Sequence, residues 1–403
     1  MENSGVIVIG TGPAGLATAG ALALAGLAVT IVGQRPPDGA VADQRTAALF
    51  NGSIQLLRRL GAWPALTATA EALKGIRIID DTDAWLKAPE LLFEAHEVGL
   101  TEFGFNIPNA ALVEALTAAL RQLPNVRINE RGGVVNVEPT TDCVHVTLAE
   151  GGKLSAPLVV AADGRNSLAR TAAGITTASW SYPQIAITTR FRHTRPHGGI
   201  STEFHRAAGP CTVVPLPHDG TGDWSSLVWV ERTAIAERLM SFDDTAFCAA
   251  LSDRLHGLLG RIGDMAPRRG FPLGGLATKT LGANRIALVG EAGHVLPPIG
   301  AQGLNLGMRD AACLADCIVA AADRDIGSAA VLDTYTAARK SDVSTRTTAV
   351  DLMNRSLLAD VLPVNLARGF GVHVLRALPA LKRQVMAVGM QQPGKLPSLM
   401  QPT

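Results

Sequence analysis

Val6-Ile7-Val8-Ile9-Gly10-Thr11-Gly12-Pro13-Ala14-Gly15 lies inside a run with no charged residue between Glu2 and Arg35. A run of that length is long enough to cross a membrane as a helix. Its punctuation argues otherwise, because Gly10, Gly12, Pro13 and Gly15 interrupt it early and Gly26 interrupts it again. Three pieces remain: a short buried strand at Val6–Ile9, an Ala/Leu-rich helix at Gly15–Ala25 and a β-branched strand at Val29–Val32. This is a βαβ unit with GxGxxG at its first turn. Gly10 permits the tight turn, Gly12 lets the backbone approach a pyrophosphate, and Gly15 lets helix pack closely on strand. The helix N-terminus then offers free N–H groups and the positive end of the helix dipole to phosphate. The reading is a dinucleotide site with one part missing. Asp or Glu commonly ends the second strand and holds the ribose hydroxyls; here Gly33 stands in that place, and Gln34 follows as a substitute hydrogen-bonding group.

Further along, the pattern predicts a polar Pro/Gly stretch at 35–43, helices near 51–60 and 110–123, and alternating strands over 126–149 with a bend at Gly132-Gly133. A buried strand at 158–162 runs into Asp163-Gly164. Antiparallel strands follow at 185–191, 211–215 and 225–230, then a helix at 247–259. A strand at 285–289 leads into a Gly-rich turn, a helix from about Leu304, and a long helix over 328–355. Pieces of nucleotide-binding character thus sit at the start, the middle and near residue 290. One domain is discontinuous, over 1–174 and 276–350, with a β-rich block at 175–275 inserted and part of 65–108 assigned provisionally to that block. A helical segment, 351–403, completes the chain.

Composition removes several classes. With 36 Lys+Arg against 35 Asp+Glu, the 403 residues carry a net charge of +1, which argues against an electrostatic nucleic-acid binder. The five cysteines are odd in number and form no CxxC pair, so neither a disulfide framework nor a Cys-based zinc site is expected. His193, His197, His205 and His218 show no metal-ligand spacing with a carboxylate, and no metal is expected. Glu203, His205 and Arg206 read as a solvated strand, with bordering a substrate cavity as the other reading; Trp229 reads as core. No signal peptide is visible, and the location expected is cytoplasmic.

Three ordered segments carry a resemblance: Gly10–Gly15; Val159-Val160-Ala161-Ala162-Asp163-Gly164-Arg165-Asn166-Ser167; and Gly290-Glu291-Ala292-Gly293-His294 through Pro297-Pro298-Ile299-Gly300-Ala301-Gln302-Gly303-Leu304-Asn305 to Asp310. Together they resemble the FAD-dependent aromatic hydroxylases of the para-hydroxybenzoate hydroxylase fold, and within them the ubiquinone-biosynthesis branch. Asp43-Gln44-Arg45, Asn109, and the spacing LxxYxxxRxxD at Leu332, Tyr335, Arg339 and Asp342 match as well. The resemblance implies an α/β (α+β) protein with a Rossmann-like FAD-binding domain and an inserted antiparallel β-sheet substrate domain. It implies that Gly10, Gly12, Pro13, Ala14, Gly15 and Gln34 hold the adenosine and pyrophosphate. Arg45 and Asn109 would contact the cofactor, Asp163 and Gly164 would serve FAD and NAD(P)H, and Gly290, Glu291, Gly303, Leu304 and Asn305 would wrap the ribityl chain and flavin. Glu291 stands where the family has Asp, one methylene shorter.

Pro298, Gly300 and His294 are the candidates for the catalytic loop. His294 reads either as a proton carrier or, favoured, as a packed residue satisfying the loop. Asp310 reads as a structural carboxylate early in its helix, where it suits the dipole. The implied chemistry is reduction of FAD by NAD(P)H, then oxygen transfer from a C4a-hydroperoxide to an electron-rich ring, here a polyprenylated phenol. Residues 351–403 hold six Lys or Arg and two Asp or Glu among apolar residues. That mix fits an association with the inner face of a membrane, or with a biosynthetic complex; a helix packed on the flavin domain is the other reading. A halogenase of the same fold would carry WxWxI, which is missing here, since Trp224 and Trp229 are five apart. A flavin-dependent reductase lacks positive support. A non-catalytic quinone-lipid scaffold rests only on Gly33 and Glu291.

Overall fold

The computed structural model describes residues 2–3, 5–34, 43–82, 87–130, 132–321, 325–358, 378, 380–384 and 396–402. The polar stretch expected at 35–43 lies outside these residues except for Asp43, and so does most of the C-terminal segment. Among the described residues no helix is long and apolar enough to cross a membrane.

The uncharged N-terminal run is a strand at Val6–Ile9, a helix at Pro13–Leu24 and a strand at Val29–Val32. Both strands join a six-stranded sheet. Its spatial order is Gly282–Ala283, Ile286–Leu288, Leu158–Ala161, Val6–Ile9, Val29–Val32 and Val126–Asn129. All pairs are parallel except the short outermost one. Every residue of Val6–Ile9 and Leu158–Ala161 is buried, so the sheet is covered on both faces, which is why these strands read as unbroken apolar runs. Helices Pro13–Leu24, Asn109–Leu120 and Gln302–Ala321 supply part of that cover. A four-stranded sheet containing Val134–Pro139, Val144–Leu148 and Lys153–Ala156 shares the same core.

A nine-stranded sheet forms the second large layer. Its main path runs His294–Val295, Arg269–Thr278, Thr177–His193, Asp223–Arg232, Cys211–Leu216, Ile200–His205, Gly75–Asp80 and Leu91–Glu94. Helices Thr233–Met240 and Asp244–Arg254 follow the Asp223–Arg232 strand, and a core of Phe191, Phe204, Trp229 and Phe247 lies between sheet and helices. Trp229 is core, as its sequence context suggested.

Several local expectations are corrected. The strand expected at 185–191 extends over Thr177–His193 and shifts register between Ser181 and Ile185. Pro183 sits at that shift, where it has no N–H for the ladder. Glu203 and His205 do not lie on a solvated strand: Ile200–His205 is interior to the sheet, paired on one edge with Cys211–Leu216 and on the other, in parallel, with Gly75–Asp80. That second partner is more than a hundred residues away, beyond any local pattern. The helix expected at 247–259 occupies Asp244–Arg254. It starts one turn earlier because the Asp243 side chain accepts from Ala246 N, and the chain leaves it at His256, whose φ is +49°.

Residues 286–295 cross between the two large sheets. Ile286–Leu288 pairs with Leu158–Ala161, and His294–Val295 pairs with Leu276 and Ala277 of the antiparallel sheet. The Gly/Pro loop that follows is therefore held at the junction of the layers.

Candidate active site

The first turn is built by close backbone contacts. A Cβ on Gly10 would lie 2.1 Å from the Ala162 carbonyl, and one on Gly15 would lie 2.0 Å from the Gly10 carbonyl. Neither position has room for a side chain. Gly12 differs, because a Cβ there would meet nothing within 4 Å. Space is thus kept open at the N-terminus of Pro13–Leu24, where no side chain caps the free N–H groups.

The three sequence segments meet here. Ala162 N donates to Ile9 O at 2.8 Å, which sets Asp163-Gly164 beside the first turn. A Cβ on Gly290 would lie 3.4 Å from Ala14 Cβ, and one on Gly307 would lie 3.3 Å from it. The third segment therefore packs directly on the first helix. Gly290 N donates to Asp310 Oδ2 at 3.0 Å.

Arg45 and Asn109 are also brought together. Arg45 Nε and Nη2 each reach Asp43 at 2.9 Å, Asn109 Nδ2 donates to Asp43 Oδ2 at 3.2 Å, and Asn109 N donates to Arg45 O. Burial pushes the Asp43 carboxyl up, but its bonds to Arg45 outweigh that and hold it below its ordinary value. The Arg45 guanidinium lies 5.0 Å from the centre of the Phe271 ring. Asn109 Oδ1 and Asp163 Oδ1 are buried and have no hydrogen-bond partner among the described residues. Orphaned acceptors at two expected cofactor positions, beside an open space at Gly12, fit a polar ligand of FAD type.

The missing strand-end carboxylate has a structural counterpart. A Cβ on Gly33 would lie 2.8 Å from Thr11 Cγ2 and 3.0 Å from Thr11 Oγ1. Thr11 fills the volume an acidic side chain would enter. Gln34 is exposed, with its carbonyl 3.4 Å from Thr11 Oγ1.

In the third segment Glu291, Pro298, Gly300 and Gly303 are exposed, and Leu304 is half-buried. Gly300 and Ala301 both have positive φ, +63° and +53°. A Cβ on Gly303 would meet nothing within 4 Å. The helix expected near Leu304 begins at Gln302, so its free N–H groups and positive end lie at the exposed loop.

Two candidates have side chains engaged within the protein. The Asn305 side chain is saturated within the protein: Oδ1 accepts from Phe50 N and Ser53 Oγ, and Nδ2 donates to Ala48 O and Ala301 O. It tethers the loop to residues 48–53. His294 is buried, its Nε2 2.6 Å from Asp310 Oδ2. Asp310 lies in the third turn of its helix, not the first, so ion pairing and not the helix dipole explains it. Burial pushes its carboxyl up, but His294 and Arg339 outweigh that and hold it well below the carboxylate range.

Sequence reasoning missed Gln302, Arg309, Arg346, Thr11 and Gln44 as parts of the site's framework. Arg190 Nε donates to Gln44 Oε1 at 2.9 Å and links the antiparallel sheet to the 43–45 segment. The available signal for the third segment's support was the LxxYxxxRxxD spacing. Tyr335 Oη donates to Leu288 O, and Arg339 pairs with Asp310 and Asp342. Among the described residues no group of His, Cys, Asp and Glu is arranged to hold a metal.

Comparison with known proteins bears on this geometry. Residues 3–349 match the model of the FAD binding domain family. The chain is 32% identical over 390 residues to a ubiquinone hydroxylase, UbiL, of Rhodospirillum rubrum, covering 96% of this chain and 89% of that protein. It is 30% identical over 389 residues to the 3-demethoxyubiquinol 3-hydroxylase of Escherichia coli, covering 94% and 97%. Among solved structures, p-nitrophenol 4-monooxygenase PnpA of Pseudomonas putida superposes with a TM-score of 0.77 at 21% identity, covering 98% of this chain and all of that one. That likeness shows the shared fold.

Proposed function

The chain belongs to the FAD binding domain family, and from that premise we propose that it is an FAD-dependent monooxygenase hydroxylating the ring of a polyprenylated phenol in ubiquinone biosynthesis, with NAD(P)H as reductant. One observation carries the reading. The three separated segments converge on one open cradle, in a chain at least 30% identical along nearly its whole length to two enzymes named as ubiquinone-pathway hydroxylases.

Bound FAD would supply the redox and oxygen chemistry. The chain's own residues bind, orient and shield. Gly10, Gly12 and Gly15 with the N–H groups of Ala14 and Gly15 hold the pyrophosphate. Arg45, Asn109 and Asp163 offer the donors and orphaned acceptors beside it. The exposed face of Pro298, Gly300 and Gly303 takes the ring system, and the start of Gln302–Ala321 directs its positive end there, favouring negative charge at that place. Pro298 has no N–H, which keeps one hydrogen-bond donor out of the loop.

Attachment at the inner face of a membrane through 351–403 belongs to the same proposal. Its support is the segment's excess of Lys and Arg and the exposed apolar side chains Leu352, Met353 and Leu378. Sedimentation with anionic lipid vesicles, compared with a chain ending at 350, checks it; equal sedimentation of the two would refute it.

The function itself is tested by mass spectrometry of quinone lipids from a strain lacking the gene. A prenylated precursor one oxygen short is the expected product. An unchanged quinone profile, with no redundant hydroxylase present, would overturn the assignment.

A further inference from the structure

Behind the exposed loop, the buried charges of helices Gln302–Ala321 and Ala329–Leu358 are bonded to one another. Asp342 accepts from Arg309, Arg339 and Arg346, and Arg346 Nη1 donates to Gln302 Oε1 at 2.6 Å. Gln302 Nε2 donates in turn to Gly300 O at 2.8 Å. The large antiparallel sheet holds buried polar groups of another kind. Among the described residues Thr188 Oγ1 and Thr212 Oγ1 are buried and have no hydrogen-bond partner.

Register sets the two threonines in one row. Each stands opposite Val228, on its two sides, in the order Arg269, Thr188, Val228, Thr212 and Glu203 across neighbouring strands. Residues directly opposite one another share a face of the sheet. Ile187 and Trp229, one position along and paired with each other, point into the core beneath helices Thr233–Met240 and Asp244–Arg254. The threonine row therefore looks the other way. On that side Gln184 Oε1 accepts from Asn354 Nδ2 at 3.0 Å, and Arg190 Nε donates to Gln44 Oε1 at 2.9 Å. Thr188 lies between these two ties, one to the long helix and one to the 43–45 segment. Phe271 stands opposite Ala186 on the same side, with the Arg45 guanidinium 5.0 Å from its ring centre. The row is thus beside an expected cofactor residue.

A buried hydroxyl without a partner is destabilising, and valine has nearly the same shape without that cost. Two such hydroxyls in one row point to partners that the chain itself does not supply. Thr189, next in sequence and on the opposite face, shows the contrast, since its Oγ1 donates to Ala266 O at 2.6 Å. Val228 is half-buried and gives an apolar floor between the threonines. Neighbouring strands lie about 4.8 Å apart, so Thr188 and Thr212 are on the order of 10 Å apart at the backbone. An aromatic ring with a hydrogen bond at each end fills such a span. A strand threonine turns between staggered χ1 wells, which swings its hydroxyl toward the ring or away from it. Glu203, at the end of the row, is engaged with His205, whose Nε2 lies 2.6 Å from Oε1. The centre of the row offers neutral hydroxyls, which donate to and accept from uncharged ring oxygens.

We propose that Thr188 and Thr212 are specificity-determining residues for the substrate ring: with the ring over Val228, one hydroxyl bonds the phenolic oxygen and the other bonds a second ring oxygen. The substrate class is then a phenol bearing at least one further hydroxyl or methoxy group. The proposal rests on the reading of the substrate as a prenylated phenol.

The experiment uses the full-length chain with FAD bound and NAD(P)H as reductant. The probes are a monoprenylated phenol with a ring methoxy group and the same phenol without it. In Thr188→Val and Thr212→Val the KM for the methoxyphenol is expected to rise about tenfold, the worth of one hydrogen bond. More hydrogen peroxide and less hydroxylated product should form per NAD(P)H consumed, because the ring is held less firmly. Thr188→Ser, which keeps the hydroxyl, should recover most of the loss. Removing the methoxy group should raise the wild-type KM, and in one of the two Val variants it should cost nothing further. Folded, FAD-loaded Val variants with the wild-type KM and product yield overturn the proposal. An equal penalty for the missing methoxy group in all three proteins overturns the second ring contact. Where a Val variant does not fold, the Ala variant at that position is read against the same criteria. A wild-type protein that oxidises NAD(P)H no faster with either phenol refutes the phenol reading and this proposal with it, whereas a coupled wild type with unaffected variants refutes the role of the threonines alone.

Discussion

Two halves of the candidate site are made of opposite materials. Gly10–Gly15 itself contains no charged residue, and its features are gaps and main-chain groups: the open space at Gly12 and the uncapped start of Pro13–Leu24. Around Gly290–Asn305 the main chain is held by the side chains of Asp310 and Gln302, which are backed by buried charged groups from two helices. The halves meet where Ala14 lies against Gly290 and Gly307. The first half is sensitive to added volume. The second tolerates no unpaired charge and depends on ionisation.

The largest effect expected from this contrast is at Gly12. Because a side chain there meets open space in the protein, Gly12→Asp folds, yet it sets bulk and negative charge against the pyrophosphate and abolishes FAD binding. The flavin absorbance of the purified protein reads this. Gly15→Ala is the control of opposite kind, since its methyl would strike the Gly10 carbonyl and destabilise the protein with or without cofactor. Equal stability of the two variants without cofactor would break the distinction.

Next in size is Asp310→Asn. It strips the ionic partner from Arg339 and replaces one of the two accepting oxygens with a donor in a fully buried place. A loss of about 3–5 kcal/mol is expected, typical of breaking a buried pair by one member. Urea unfolding of the variant measures it, and a loss below about 1 kcal/mol would contradict the buried-charge description.

Ionisation gives the third prediction. The carboxyls of Asp310 and Asp342 are both held below their ordinary values. Their contribution is complete above the unfolded-state pKa, about 3.9. It is lost as pH falls through the lower folded-state values. Stability should therefore decline as pH drops below about 4, and Asp342→Asn should flatten that decline. Unfolding midpoints measured from pH 6 down to pH 2 test the slope; an unchanged slope in the variant would show that this half is not governed by its carboxylates.

The smallest effect sharpens the first half. Gly33→Glu introduces the acid common at that place in dinucleotide sites, but its Cβ runs into Thr11. FAD affinity should weaken about tenfold, ~1.4 kcal/mol, and the double variant Thr11→Gly/Gly33→Glu should restore it. Titration of the apoprotein with FAD decides; no rescue in the double variant would mean Thr11 is not what excludes the acid.

The halves also differed in how far they could be read in advance. The strand, turn and helix of Val6–Leu24 were legible because their signals are neighbours in sequence. The helix from Gln302 and the long helix through Tyr335 and Arg339 were legible as elements. Their side-chain partnerships were not: which donors Asp310 meets, Arg339 among them, and the use of the Asn305 amide on Ala48, Phe50, Ser53 and Ala301 are visible only in the structure. Helical periodicity tells which residues share a face; it does not tell which of several donors nearby takes each acceptor. The Ile200–His205 strand was misread as solvated for a related reason, since burial depended on the distant Gly75–Asp80 strand.

What the chain settled from its own order of residues is everything decided over a few positions. That covers the strand-turn-helix at the N-terminus, the room made at Gly12, the uncharged character of that half and the resemblance carried by three motifs. What only the tertiary structure decided is how those motifs meet, that Thr11 crowds the side-chain position at Gly33, and which buried charges hold the loop at 290–300. The physical reason is range. Backbone conformation and steric room at a glycine turn depend largely on adjacent residues. The charge balance around Asp342 depends on guanidiniums from two helices, and burial within the protein makes it consequential.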